Sequence, residues 1–311
     1  MVAINECTHP KSHRHGTNRN GSIRRKCVVC NKTFSEEHIP AGPFGSMQAD
    51  ENKMFLALQL LCESMGVRAV SRVVKIDPKT ICKAILIAGK ACQSFLDANV
   101  KDVDVDCCSI DEQWEFVGKR RSGPSSHYGD AWLYAGICHD SRLILAHTIG
   151  KRTAETTGEF LMSMRRAIKG SCQINSDGFA QYRNAVPFAF RGECDFAMMI
   201  KNYHGGDHSH RYSPGAITGI RREDVYGTPD MDKLSTSYSE RWFLSVRTSL
   251  RRCTRLCLGF SKSIDHHRAM IAIYTAMYNF GIIHGTLKTT PAMAAGITDK
   301  KWALQEIMAA K

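Results

Sequence analysis

The chain has 311 residues, enough for two compact units, or three if one is a small metal-stapled module, at ~150 residues per domain. Its 43% hydrophobic and 23% charged residues are ordinary for a globular protein and exclude wholesale disorder, collagen-like repeats and coiled-coil rods. Forty-two lysines and arginines (42) against 30 acids leave +12, a surplus that favours a polyanionic partner, either nucleic acid or an anionic membrane surface.

The membrane alternative fails on pattern. The longest apolar stretch, Ala269 to Ile283, falls short of the ~20 residues a span requires, contains Asn279, and reads as a buried helix. Met1 to Glu6 has neither the basic start nor the apolar core of a signal peptide. The expectation is a soluble protein that stays inside the cell. Its 13 cysteines then belong to a reducing compartment, where thiols serve as metal ligands or small core residues.

Residues 1–40 are basic and too poor in apolar side chains to fold around a core of their own. Cys27-Val28-Val29-Cys30 is a two-residue-spaced pair, and Cys7 lies twenty residues upstream of it with His9, His13 and His15 close by. That spacing suits a zinc ribbon, in which each knuckle gives two ligands to one tetrahedral structural Zn²⁺ and binding supplies the missing folding energy. Cys7, Cys27 and Cys30 are clear ligands. Pro10 stands where a second pair would put its cysteine, so the fourth is His9, with His13 the alternative. Arg24, Arg25 and Lys26 make this module a DNA-binding candidate. Ile39 to Ser46 is a breaker-rich linker.

From Asp50 the pattern turns helical, with Phe55, Leu58, Leu61, Cys62 and Met65 on one face and Gly66 ending the run. Val67, Val70, Val73 and Val74 give a short second helix, and Asp77-Pro78 restarts a longer one as cap and first-turn proline. Residues 50–100 thus read as a helix-turn-helix domain whose last helix displays Lys79, Thr80 and Lys83 toward phosphates and base edges.

Residues 103–285 read as a sheet with helices. Strands are expected over Val105 to Val117, Ala131 to His139 and Arg142 to Gly150, the last two joined as a hairpin through Asp140-Ser141. A helix around Phe160 to Ile168, a strand Cys172 to Asp177, a short helix Phe179 to Val186 and a strand Asp195 to Tyr203 follow. Residues 204–235 read as loop, and Glu240 to Leu250, Ile264 to Phe280 and Asp299 to Ala310 as helices, residues 286–311 forming a C-terminal helical extension. This α/β order, β-β-β-α-β-α-β-α, is that of an RNase H-like mixed sheet.

Three acids stand out. Asp111 lies on the first long strand, where it and Glu112 are expected to face opposite sides, so that only one enters a given site. Asp177 closes a strand before Gly178, and Glu240 opens a helix three residues after Ser237. Taken singly, Asp177 reads as a turn residue and Glu240 as half of a capping box. Together they form the convergent set of an RNase H-like site. Three clustered carboxylates cannot all stay charged without compensation, and two Mg²⁺ (or Mn²⁺) ions resolve the repulsion and serve phosphodiester displacement. Beyond Glu240, Arg241, Arg247, Arg251, Arg252, Arg255, Lys262 and Arg268 against Asp265 form a basic run suited to a phosphate track.

These residues resemble bacterial transposases of the insertion-sequence-one family. The likeness runs through Cys27-Val-Val-Cys30-Asn-Lys-Thr-Phe34, Gly66-Val-Arg-Ala-Val-Ser-Arg72, Ile110-Asp111-Glu112-Gln-Trp114, Asn175-Ser-Asp177-Gly, Ser235-Thr-Ser-Tyr-Ser-Glu240-Arg241, Tyr278-Asn279-Phe280 with His284, and Thr290-Pro-Ala-Met-Ala-Ala-Gly296. The resemblance implies an Asp-Asp-Glu triad at Asp111, Asp177 and Glu240. It implies a DNA transposase that binds the terminal inverted repeats of its element and joins freed 3′ ends to target DNA, acting on double-stranded DNA as a homodimer or larger homo-oligomer at the bacterial nucleoid. Trp242 and Phe243 depart from the family's polar pair after the glutamate, and the first knuckle lacks its second cysteine. A catalytically inactive DNA-binding regulator and a nuclease without strand transfer are the alternatives.

Overall fold

The computed structural model describes residues 7, 9–18, 21–36, 43–45, 47, 49–118, 129–203, 217–255 and 257–310. Three short strands, β1 (Ser12–Thr17), β2 (Ile23–Cys27) and β3 (Thr33–Ser35), form an antiparallel sheet of their own. Its strands carry almost nothing apolar, and only Cys27 is fully buried there. Of the expected linker, Ile39 to Gly42 and Ser46 lie outside the described residues. Phe44 within it is buried against Phe55, ring centroids 4.9 Å apart.

The helical segment follows the sequence closely. α1 (Glu51–Leu61) is capped by Asp50, whose Oδ1 accepts from Lys53 N at 2.9 Å. α2 (Val67–Val74) ends on Lys75 in the left-handed region, and α3 (Pro78–Asn99) starts on Asp77, which accepts from Lys79 N at 2.8 Å, with Pro78 at the first helical position. Lys79 and Lys83 are exposed and Thr80 half-buried. The far half of α3 is apolar on the side that faces the rest of the chain. Gly89 is there because helix α7 (Ile264–Ala276) passes so close that a Cβ would sit 2.3 Å from Ala269 Cβ.

The main sheet is mixed and has six strands. In chain order come β4 (Val103–Asp104), β5 (Cys107–Val117), β6 (Gly129–Cys138), β7 (Ile144–Gly150), α4 (Ala154–Ala167), β8 (Ile168–Lys169), β9 (Gln173–Ser176), α5 (Tyr182–Ala189), β10 (Asp195–Tyr203), β11 (Ile217–Tyr226), α6 (Ser237–Ser249), α7, α8 (Pro291–Ala294) and α9 (Leu304–Ala309). Across the sheet the order is β11-β10-β9-β5-β6-β7, while β4 and β8 pair as a separate two-residue ladder. β5, β6 and β7 form an antiparallel meander, β9 lies parallel to β5 and β10 parallel to β9, and β11 returns antiparallel.

Alternation along β5 assigns its two faces. Ile110 and Glu112 look toward α4 and α5: a Cβ on Gly136, paired with Ile110, would lie 2.2 Å from Met164 Sδ, and Glu112 meets Tyr182. Gln113 and Glu115 look toward α6 and α7, where they meet Arg247 and His267. The core is continuous from Phe44 through α1 to α3, the sheet and α7 to Met308. Phe95 of α3 meets Phe280 edge to face and Trp302 at a tilt, tying the C-terminal residues in as well.

Some elements differ from expectation. Residues 217–226, expected as loop, form β11, an edge strand exposed along most of its length. The helix expected through Phe280 changes to a wider π turn over Met277–Gly281. That turn aims the fully buried Asn279 at strand β7, where its amide donates to Ile144 O and accepts from Ile144 N, both at 2.9 Å. The polar residue in the apolar stretch thereby closes the backbone of an edge strand. The last helix is shorter than expected, Leu304–Ala309. Among the described residues no helix is long and apolar enough to cross a membrane.

Candidate active site

Asp111 sits in the middle of β5, and Asp177 follows the end of the neighbouring parallel strand β9. A carboxylate oxygen from each, and one from Glu112, lie within 4.8 Å of one another. The expected separation of Asp111 from Glu112 by strand alternation therefore does not hold at their tips. Asp111 folds back to accept from Glu112 N at 2.7 Å, and the longer Glu112 side chain reaches past the strand from the other face. Asp177 also does what an Asp-Gly turn requires, accepting from Phe179 N at 3.0 Å.

Burial pushes the Asp111 carboxyl well above its ordinary range, and the Asp177 and Glu112 charges push it further. Asp177 is raised as well, chiefly by burial, although the Phe179 N–H and the charges of Arg152 and Lys201 oppose the shift. Glu112 is pushed up to about 7, by burial first and Asp177 second. Its oxygens are held by Arg152, with Nε at 3.0 Å and Nη2 at 2.5 Å, and by Tyr182 Oη at 2.9 Å. Arg152 is itself stacked on Phe179 and Trp132. Glu112 was not among the residues singled out from the sequence; two consecutive acids on one strand were the available signal.

Glu240 stands in the first turn of α6 and is exposed. It pairs with Lys201 of β10 and accepts from Thr236 Oγ1 at 3.0 Å, so it is not part of the tight carboxylate group, yet its charge acts on both Asp111 and Asp177. The expected capping box does not form, because Thr236 rather than Ser237 occupies the cap position and Glu240 takes its hydroxyl. The start of α6 is set by β9. Gln173 exchanges hydrogen bonds with the backbone of Asp230 at 2.8 and 2.9 Å, and Asn175 donates to Lys233 O at 2.8 Å. Trp242 and Phe243, the departures from the family pattern, fill the core beneath. Raised carboxyl pKa values in a group of oxygens this tight fit a divalent cation, whose charge would reverse the mutual repulsion.

A second group of donors lies in the N-terminal sheet. One ligand atom each from Cys7, His9, Cys27 and Cys30 lie within 4.8 Å of one another, with Cys7 Sγ 3.8 Å from Cys27 Sγ and His9 Nδ1 3.4 Å from Cys30 Sγ. Backbone N–H groups, that of Cys30 foremost, hold the Cys27 thiol down at about 6, against the effect of burial. His9 adopts a left-handed backbone conformation (φ 57°) and stacks on Phe34 at 4.5 Å. His13 instead points along β1 toward His15. Three thiols and an imidazole are a donor set suited to tetrahedral zinc.

The basic residues divide. Arg24 is exposed, Lys26 is half-buried, and Arg25 pairs with Glu36. Arg241, Arg251, Arg255 and Lys262 are exposed around and beyond α6, Lys262 lying over the Phe260 ring. Arg247 and Arg252 turn inward: Arg247 donates to Gln113 Oε1, and Arg252 Nη1 to His266 O at 2.7 Å and Ser261 Oγ at 3.2 Å. These contacts join a buried chain in which Gln113 donates to Glu115 at 2.8 Å and Glu115 meets His267.

Comparison with known proteins bears on the same segment. Residues 104–191, which contain Asp111, Glu112 and Asp177, match the model of the IS1 transposase family. Protein InsB of insertion element iso-IS1n from Shigella dysenteriae is 26% identical over 173 residues, 56% of this chain and 96% of that protein. Protein InsB of insertion element IS1 4 from Escherichia coli (strain K12) is 24% identical over 168 residues, 54% of this chain and 72% of that protein. A piggyBac transposase synaptic complex with hairpin DNA overlaps 88% of this chain and 72% of its own at 10% identity and a TM-score of 0.36, too loose a likeness to argue from. Residues 104–191 thus resemble the IS1 transposase family, and about half of the chain is similar to the InsB proteins of two of its elements.

Proposed function

We propose that the chain is a DNA transposase, with an RNase H-like catalytic domain over residues 103–285 that cuts at the ends of its element and joins them to target DNA. The observation that carries this reading is the meeting of Asp111, on β5, with Asp177, just past the end of the adjacent parallel strand β9, inside the segment that matches the family. Asp111, Asp177 and Glu240 would hold two Mg²⁺ or Mn²⁺ ions, which when bound lower the pKa of an attacking hydroxyl and stabilise the leaving oxygen. Lys201 and Thr236 hold Glu240 at the start of α6, from where its charge acts on both aspartates. Arg152 and Tyr182 fix Glu112 against Asp177 and so maintain the negative potential that recruits cations.

The remaining assignments follow from this reading. Cys7, His9, Cys27 and Cys30 hold one structural zinc, and the ribbon with Arg24, Arg25 and Lys26 binds the terminal repeats together with the helix-turn-helix of residues 50–100 through Lys79, Thr80 and Lys83. Exposed Arg241, Arg251, Arg255 and Lys262 track the backbone near the metals. The protein acts at the bacterial nucleoid, and pairing of two ends requires at least a homodimer.

The test is a strand-transfer assay with the sequences that bound the gene, Mg²⁺ or Mn²⁺, and a target plasmid. Joined product is expected, falling by at least about 10³-fold in Asp111→Asn, Asp177→Asn and Glu240→Gln. Cleavage without joining would replace the reading with a plain nuclease, and binding without cleavage with a DNA-binding regulator.

A further inference from the structure

A cationic and aromatic cluster lies beside the first turn of α6, where three parts of the chain meet. The turn between β6 and β7 contributes His139 and Arg142, the latter in the left-handed region (φ 58°). Helix α6 contributes Tyr238 and Arg241, three residues apart and therefore on one helix face. Tyr278 of the π turn and His284 come from beyond α7. The Arg142 guanidinium lies 4.0 Å from the centre of the Tyr238 ring, the His139 ring lies tilted against the same ring at 4.3 Å, and Tyr278 and His284 meet edge to face at 6.5 Å.

Three observations give this cluster a ligand. Among the described residues Arg142 Nη1 and His139 Nε2 are both buried without a hydrogen-bond partner, although His139 is only 8% exposed. Such orphaned groups cost about 1–3 kcal/mol each when nothing satisfies them. Neither Arg142 nor Arg241 forms an ion pair among the described residues, and the nearby Asp106 is taken by Lys233 at 2.8 Å. Both guanidinium charges act on the Tyr278 hydroxyl and on the His284 ring, so the two arginines address one space; burial, followed by these charges, lowers the His284 pKa. Leu287 N approaches His284 Nδ1 at 3.5 Å, which leaves Nε2 as the ring's donor.

We propose that Arg142, Arg241 and His284 bind one phosphate of the DNA backbone, next to the carboxylates but separate from them. The proposal rests on the transposase reading. Two forked guanidinium groups with an imidazole N–H match a phosphodiester oxygen pair, and the face of Tyr238 holds the Arg142 fork in place. Glu240 and Arg241 are consecutive on α6, which places this site within the same helical turn as the third carboxylate.

The test uses the full chain and a fluorescent 40-base-pair duplex taken from the gene's boundary, titrated over a salt series by anisotropy. Arg241→Gln and Arg142→Gln are each expected to weaken binding by about tenfold at ~0.1 M salt and to lower the slope of log affinity against log salt by about 1, with an unchanged melting temperature. Arg241 is exposed, so its variant folds even if the Arg142 variant does not. Unchanged affinity and slope in both variants, with normal binding by the parent chain, would overturn this site and remove Arg241 from the phosphate track, while the carboxylate centre of the functional reading would stand. No duplex binding by the parent chain at any salt would remove both. A melting-temperature rise with inorganic phosphate that Arg142→Gln abolishes, with duplex binding unaltered, would assign the cluster to a free anion and overturn the DNA reading.

Discussion

At the scale of single residues, His9 carries the sharpest contrast with its neighbours. Its imidazole stands among three thiol sulfurs while His13 runs along an exposed strand, so His9→Ala is expected to reduce bound zinc from about one equivalent per chain to near zero while His13→Ala retains it. Metal analysis of purified variants checks this, and zinc retained in His9→Ala would sink the assignment. Cys27 and Cys30 were legible from their two-residue spacing, and Cys7 from its place twenty residues upstream of that pair. The sequence favoured His9 over His13, and a left-handed turn at His9, which no spacing rule reports, sets its imidazole among the thiols. Glu112 was hidden by a rule that is correct for Cβ atoms. Alternation separates neighbouring side chains at the strand, but it does not constrain tips that fold back or reach over, as Asp111 and Glu112 do.

At the scale of elements, the approach of α3 to α7 is decided at one position. Gly89→Ala would gain up to about 1 kcal/mol of helix propensity, but the new methyl would meet Ala269 Cβ at 2.3 Å and Cα at 2.4 Å, and the helices must separate to admit it. A net loss of about 1–3 kcal/mol is expected in denaturant unfolding, against no significant loss for Ala substituted at the exposed neighbour Lys90. Equal or greater stability of Gly89→Ala would show that the contact is not tight. Strong periodicity made most elements readable: α1 to α4, β5 to β7, β9 and β10 fall within a few residues of expectation. β11 escaped because Ile217 to Tyr226 buries neither face consistently and carries Arg221, Arg222, Glu223 and Asp224 in a row. It is a strand because β10 pairs with it, a tertiary cause absent from its own pattern.

At the scale of the whole molecule, charge and stability are coupled through the carboxylates. Asp111, Asp177 and Glu112 all have raised pKa values, so the folded chain holds more protons than the unfolded one between the ordinary carboxylate range and, for Glu112, about 7. Stability contributed by these groups therefore falls as pH rises through that window. Without metal, Asp111→Asn is expected to melt about 2–5 °C above the parent chain at pH 8 and to show little advantage at pH 4. Mg²⁺ is expected to raise the parent's melting temperature more at pH 8 than at pH 5, and to do so less in the variant. A variant that melts lower at pH 8, or a metal effect larger at pH 5, would contradict a repulsive cluster. The two ends of the six-stranded sheet bear on assembly. At β7 the Asn279 amide occupies the backbone groups of Ile144, whereas at β11 no further strand pairs among the described residues and a run of charges lies along the rim. The sheet is thus polar in a topological sense: one margin is plugged from within by the chain's own side chain and the other is left open but guarded by charge. A partner strand added at β7 would have to displace Asn279 from Ile144, whereas one added at β11 would meet the charged rim.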